Sequence, residues 1–244
     1  ILNVVKKNFD LSNLLELTVE AGRPDSITRE KLEALKATGV DRISINPQTM
    51  QQKTLDLIGR HHTIEDIHES YKLAREVGFE NINMDFIIGL NGETLEDVID
   101  SFTKVKSFAP ESITIHSLAL KRAARLNTEN KREIMDNDLI LSMINTATDT
   151  CADLGLEPYY LYRQKNMAGN LENIGFSKPG KECLYNILIM EEKQTIIACG
   201  AGTSSKIVFG DGRIERIENV KDPKLYIERL DEMIMRKESM HGID

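Results

Sequence analysis

Residues 81–93, NINMDFIIGLNGE, set a carboxylate, Asp85, inside an apolar run of strand character that leads into a glycine-containing turn. Burying an ionised carboxylate in a sheet is costly unless something pairs with it, so Asp85 is expected to face a partner. Polar groups fall in the same way elsewhere. Glu20 lies near the end of LLELTVEA (14–21), and Asn46 and Gln48 close and follow DRISIN (41–46). His116 and Ser117 lie in ESITIHSLAL (111–120). In β/α folds the reacting groups collect where strands end and the loops to the next helices begin. Carboxylates accept hydrogen bonds from ammonium and hydroxyl groups, and an arginine can grip a carboxylate with two parallel bonds. The set therefore suits a zwitterionic, hydroxyl-bearing ligand. Singly, each residue has a plainer role: Asp85 capping a loop, Gln48 starting a helix, Glu20 pairing with Arg23.

Other features carry less. GAGTSSK (200–206) lacks the spacing of a phosphate-binding loop, so it reads as a glycine turn. His61 and His62 are adjacent and do not converge on a metal; a solvated turn is the expectation. Cys151, Cys183 and Cys199 fit neither a disulfide framework nor a zinc or iron–sulfur spacing, and are expected to be buried thiols. A net charge of -8 argues against a general nucleic-acid or anionic-membrane binder. No run is long and apolar enough for a membrane span, and a cytoplasmic location is expected. The chain opens at Ile1 in what reads as a helix, and an upstream portion is expected.

The elements that must position these groups alternate. Strand candidates at 14–21, 41–46, 81–89, 111–120 and 157–162 are separated by amphipathic helices. Helix starts are marked by Thr28, by Thr63 with Asp66 and by Thr94 with Asp97; a helix is also expected over 48–58. Apolar strands each followed by a helix predict a parallel sheet buried on both faces, within a barrel or a doubly wound fold. The last third breaks this rhythm. Segments 183–190, 194–202 and 205–217 read as neighbouring antiparallel strands, with GDG (210–212) as a hairpin turn. A final helix starts at Asp222 with Pro223 in its first turn.

In order and spacing, ELTVEAGRPD, RISINPQT, LIGRHHT, NINMDFIIGLNGET and ITIHSLAL resemble the radical S-adenosylmethionine core of oxygen-independent coproporphyrinogen III oxidases. The likeness is nearest to the coproporphyrinogen dehydrogenase branch. YYLYRQKNMAGNLENIGFSKPGKECLYNILIMEE, followed by ACGAGTSS, resembles that branch's C-terminal region. The resemblance implies an α/β fold, a partial TIM-like (β/α) barrel with a small C-terminal α+β extension. Residues 1–155 would be the radical core, lacking its first βα units, and 156–244 the extension that contributes to the substrate cavity.

It also implies that Glu20, Gln48, Arg60, Asp85 and Ala119 contact S-adenosylmethionine, with Arg60 suited to the methionyl carboxylate. The family's [4Fe–4S] cluster sits on a CxxxCxxC loop absent from this sequence, so no metal ligand is assigned and the cluster cysteines are expected upstream. In the family the cluster cleaves S-adenosylmethionine reductively, and the resulting radical takes a propionate β-hydrogen. Carbon dioxide then leaves and an electron passes on. The implied function is conversion of coproporphyrinogen III to protoporphyrinogen IX in haem synthesis, with an electron donor for the cluster and an electron acceptor as partners. A porphyrinogen's carboxylates need cations, and Arg122, Arg163 and Lys165, with Lys121 and Arg125, lie just after strands. Two alternatives remain: a haem-binding chaperone on the same core, or a radical enzyme acting on another substrate.

Overall fold

The computed structural model describes residues 1–118, 137–162 and 172–238. Its organising pattern is an alternation of side chains. Along β3 (Ile82–Ile88), Ile82, Met84, Phe86 and Ile88 are all buried, while Asn83 and Asp85 occupy the intervening positions. Successive side chains of a strand point to opposite faces, so β3 has one apolar and one polar face. Its neighbours repeat this. β2 (Arg42–Gln48) sends Ile43 and Ile45 into the apolar core and Ser44 the other way; β4 (Ser112–Ser117) does the same with Ile113 and Ile115 against Thr114. The expectation of strands buried in hydrophobic packing on both faces is therefore corrected. One face packs on helices and the other carries polar groups.

The helices on the apolar face are α2 (Arg29–Ala37), α4 (Ile64–Val77), α5 (Leu95–Phe108) and α6 (Asn137–Asp153). Leu32, Ile67, Ala74, Phe102, Val105, Met143 and Ala147 join the strand residues in one core. Local chemistry sets the helix ends. Thr28 caps α2, and Thr63 with Asp66 and Thr94 with Asp97 form complete capping boxes at α4 and α5. Gly78 ends α4 in the left-handed region, at φ 95°, which a side chain would resist. α1 (Leu2–Asn8) precedes β1 (Thr18–Gly22), and α3 (Gln52–Leu57) is shorter than the expected 48–58 because residues up to Gln48 belong to β2.

The sheet order is β1-β2-β3-β4-β6-β5, with β1 to β4 parallel. β5 (Glu157–Tyr162) does not lie beside β4 as the βα rhythm predicts. β6 (Asn173–Ser177), which sequence reasoning missed, runs antiparallel between them. It is short, contains Gly175 and pairs with segments distant in sequence, so its local signal is weak.

Two compact units divide at 183/184 rather than at the expected 155/156, since β5 and β6 complete the first unit's sheet. In the second unit, residues 184–190 form α7 (Leu184–Met190), not a strand. Segment 194–202 contributes a single bridge, Ile196 to Lys206. β7 (Ser204–Val208) and β8 (Ile214–Glu218) make the expected hairpin around residues 210–212. The last helix is two, α8 (Pro223–Glu228), capped by Asp222, and α9 (Leu230–Glu238). Together these describe an α/β fold with a partial barrel-like sheet and an additional α+β region.

Candidate functional site

The polar face carries a connected set of side chains. In register, Glu20 of β1 lies beside Ser44 of β2, which lies beside Asn83 of β3. Asp85 lies beside Thr114 of β4. The Asn83 amide donates to Asp85 Oδ1 at 2.6 Å and to Ser44 Oγ at 3.2 Å, and its carbonyl accepts from the Thr114 hydroxyl at 3.2 Å. Ser44 in turn donates to Asn46 Oδ1. His116 Nε2 stands 3.6 Å from Asp85 Oδ2, so both carboxylate oxygens have a neighbour. Asp85 thus faces a polar cluster rather than capping a loop.

Glu20 also belongs to the cluster. The residue is exposed, yet the protein around it pushes its carboxyl above the usual range, and the Asp85 charge pushes the same way. Contacts with Ser44 and Asn46 and the Arg42 charge oppose that shift. Arg23 pairs with Asp25 at 2.7 Å, so the plainer reading of Glu20 as its partner is corrected. Among the described residues, no lysine or arginine lies within ion-pair distance of Glu20 or Asp85. The Asp85 charge disfavours the charged form of Glu20, and a cationic group beside the pair would relieve that.

Gln48 is buried at the end of β2 with φ 72°, one of few non-glycine residues in the left-handed region. Such backbone costs about 1–3 kcal/mol and persists where the surroundings enforce it. The β2–β3 register shifts between Ile45 and Gln48, and the Gln48 amide approaches the Asn46 carbonyl at 3.5 Å. Arg60 follows α3, half-buried, and no hydrogen-bond acceptor for its guanidinium is found among the described residues. It lies close enough to His62 to disfavour a charged imidazole there. The expected solvated turn is corrected at His62, which is buried and contacts the Pro47 carbonyl at 3.2 Å, burial pushing its imidazole below the ordinary value. Ala119, Lys121, Arg122, Arg125, Arg163 and Lys165 lie outside the described residues.

Sequence reasoning missed Arg42, Ser44, Asn83, Thr114, Gly175 and Tyr160. Arg42 is 2% exposed, donates to Ser112 Oγ at 3.1 Å and leaves its Nε unsatisfied among the described residues. The signal that finds most of them is the two-residue period of polar positions in strands that otherwise read as apolar. Cys151 is buried, its thiol pushed up to about 12, and Cys183 is buried with its thiol 3.4 Å from Glu16. Cys199 is exposed, which corrects the expectation of three buried thiols. Among the described residues no group of His, Cys, Asp and Glu could hold a metal ion.

Comparison with known proteins agrees with this architecture. Residues 6–105 match the Radical SAM superfamily. The chain is 49% identical over 230 residues to the oxygen-independent coproporphyrinogen-III oxidase-like protein HemZ of Bacillus subtilis, covering 93% of this chain and 46% of that protein. It is 41% identical over 118 residues to the haem chaperone HemW of Bacillus subtilis, covering 48% of this chain and 30% of that one. The structure of coproporphyrinogen III oxidase (HemN) from Escherichia coli superposes with a TM-score of 0.72 at 20% identity, over 95% of this chain and 52% of that one. The chain thus spans about half the length of the relatives it matches. The match over residues 6–105 and the 49% identity to the HemZ protein make the chain a radical S-adenosylmethionine superfamily member, and the fold agrees. Within that superfamily it is closely related to the HemZ and HemN type of coproporphyrinogen oxidase-like proteins.

Proposed function

We propose that this protein takes part in the anaerobic oxidative decarboxylation of coproporphyrinogen III, using S-adenosylmethionine bound at the polar sheet face. The observation that carries the reading is the Glu20–Asp85 pair, two carboxylates on the polar sheet face with no lysine or arginine at ion-pair distance among the described residues, where burial and the Asp85 charge raise the Glu20 carboxyl. That donor set fits a ligand bearing an ammonium, a sulfonium and ribose hydroxyls. Glu20 and Asp85 would accept from the ammonium or the hydroxyls, with Gln48 adding a polar edge. Arg60 would take the ligand's carboxylate bidentately, and Ala119 would allow close backbone approach. Given one electron from the proposed donor, S-adenosylmethionine held there would supply hydrogen-atom abstraction from a substrate carbon.

The described residues do not fit a [4Fe–4S] cluster. Its ligands must be thiolates, and Cys151 is held protonated by burial. Arg122, Arg163 and Lys165 are proposed to hold substrate carboxylates, and an electron donor and an acceptor complete the proposed partners. The direct test is anaerobic incubation of the holoenzyme with coproporphyrinogen III and S-adenosylmethionine, following vinyl-group formation and carbon dioxide release. The 41% identity to a haem chaperone supports a second reading, haem delivery. Haem retained at one per chain with no decarboxylation would decide for it.

A further inference from the structure

We infer that His62 and Glu93 are positioning residues for Gln48, holding the turn around it from two sides. Gln48 ends β2 at φ 72°, a region that a residue with a side chain resists. Its own amide reaches the Asn46 carbonyl only at 3.5 Å, the outer limit of a hydrogen bond, so that contact does not fix the backbone. The residues on either side of Gln48 are held instead. His62, just before the Thr63 cap of α4, contacts the Pro47 carbonyl through Nε2 at 3.2 Å. Thr49 donates its hydroxyl to Oε1 of Glu93, which lies in the loop between β3 and α5.

The donor of each bond follows from its chemistry. A carbonyl can only accept, so His62 carries its proton on Nε2 and donates to Pro47. The Thr49 oxygen accepts from the Gln51 backbone amide at 3.2 Å, and its single hydroxyl proton goes to Glu93. His62, Thr49 and Glu93 are 1%, 3% and 6% exposed, so water does not take over either bond when a partner is removed. Past Thr49 the chain is fastened to α5. The Met50 backbone amide donates to Ser101 Oγ at 3.3 Å, and Gln51 Nε2 donates to the Asp97 carbonyl at 3.1 Å. Backbone in a sparsely populated region persists where its surroundings over-determine it. At Gln48 the entry to α4, the β3–α5 loop and α5 itself supply those surroundings.

The affinity arm of the test rests on the proposed cofactor role of Gln48, whereas the spectroscopic arm does not. Thr49→Val and His62→Leu each remove one donor, while Thr49→Ser and Glu93→Gln keep the bond between those two side chains. In the folded protein, Thr49→Val and His62→Leu are each expected to shift the three-bond HN–Hα coupling of Gln48, which reports its φ. In the holoenzyme each is expected to weaken S-adenosylmethionine binding about three- to tenfold. Thr49→Ser and Glu93→Gln should retain most of the affinity. Gln48→Gly has no side chain to aim and no resistance to φ 72°, so adding Thr49→Val to it should cost no further affinity. Should His62→Leu fail to fold, the near-isosteric Thr49→Val carries both arms. A Gln48 coupling unmoved in Thr49→Val overturns the inference, as does a loss of affinity that persists undiminished in the Gln48→Gly background. If the coupling shifts while affinity is unchanged in these variants and in Gln48→Gly alike, the clamp stands and the cofactor role of Gln48 falls.

Discussion

At the scale of single residues, Asp85 and Glu20 make opposite demands on the protein. Asp85 is held on one oxygen by Asn83 and flanked on the other by His116, so an amide in its place keeps the Asn83 contact and loses only charge. Asp85→Asn is therefore expected to fold normally and to weaken S-adenosylmethionine binding by about 1.5–3 kcal/mol, the worth of a hydrogen bond to a charged group. Calorimetric titration of the holoenzyme checks this. Arg60→Lys should also weaken binding, since a point charge cannot replace a bidentate fork, and the same titration measures it. Glu20 is different because its surroundings disfavour its charge. With the folded-state value raised, the native protein holds this proton to higher pH than the unfolded chain does. Its contribution thus favours folding at low pH and is lost as pH rises from the unfolded value through the folded one. At neutral pH the ionised side chain is a liability, so Glu20→Gln should raise the thermal midpoint there while weakening ligand binding. Below the ordinary carboxylate range the stability difference should vanish, and melting curves across pH would show it. Equal midpoints at neutral pH would remove the argument that a ligand's positive charge is awaited there.

At the scale of elements, what was legible in the sequence was what local chemistry decides. The boxes Thr63–Asp66 and Thr94–Asp97 and the left-handed glycine at 78 mark helix ends from within a few residues of themselves. The parallel run β1 to β4 follows from the alternation of strands and helices. The two faces of that sheet were harder to read, because Ile87 interrupts the polar positions of β3 and makes 86–88 look uniformly apolar. β6 was not legible, since its partners lie about 15 and 60 residues away and its central Gly175 lowers strand propensity. Helix α7 was mistaken for a strand because Leu, Ile and Met serve both structures. Of the site, Glu20, Gln48 and Asp85 were legible as polar residues closing apolar runs, whereas the residues that orient them needed the register. The glycine that weakens the local signal of β6 is the one the packing requires. Gly175→Ala places a methyl inside the Tyr160 ring, and the overpacking should cost about 1–3 kcal/mol. Denaturant unfolding would register it, and Tyr160→Ala in the same background should relieve much of the cost. A fully stable Gly175→Ala would mean that the ring is free to leave that position.

At the scale of the whole molecule, the chain is two compact units, Ile1–Cys183 and Leu184–Asp244, and its three cysteines sample them unequally. Cys151 and Cys183 are buried in the first unit, and Cys199 is exposed in the second. Reaction with a disulfide reagent requires both access and a thiolate. Cys151 has neither: it is on the buried face of α6, enclosed in the core, and burial pushes its thiol up to about 12. Cys183 lies within 3.4 Å of Glu16, a carboxylate that disfavours a second negative charge beside it. Cys199 is exposed to the reagent. In the native protein at mildly alkaline pH one thiol per chain should therefore react promptly, with the other two protected by orders of magnitude. The protected pair should become reactive together, since opening the first unit's core is what exposes Cys151, and the denaturant dependence of that reaction reports the stability of the unit holding the candidate site. Substituting Cys199 by Ser should abolish the fast phase and leave the slow one unchanged. Three thiols reacting promptly in the native state would show that the sheet unit is open at Cys151, which contradicts the packing on which the site depends.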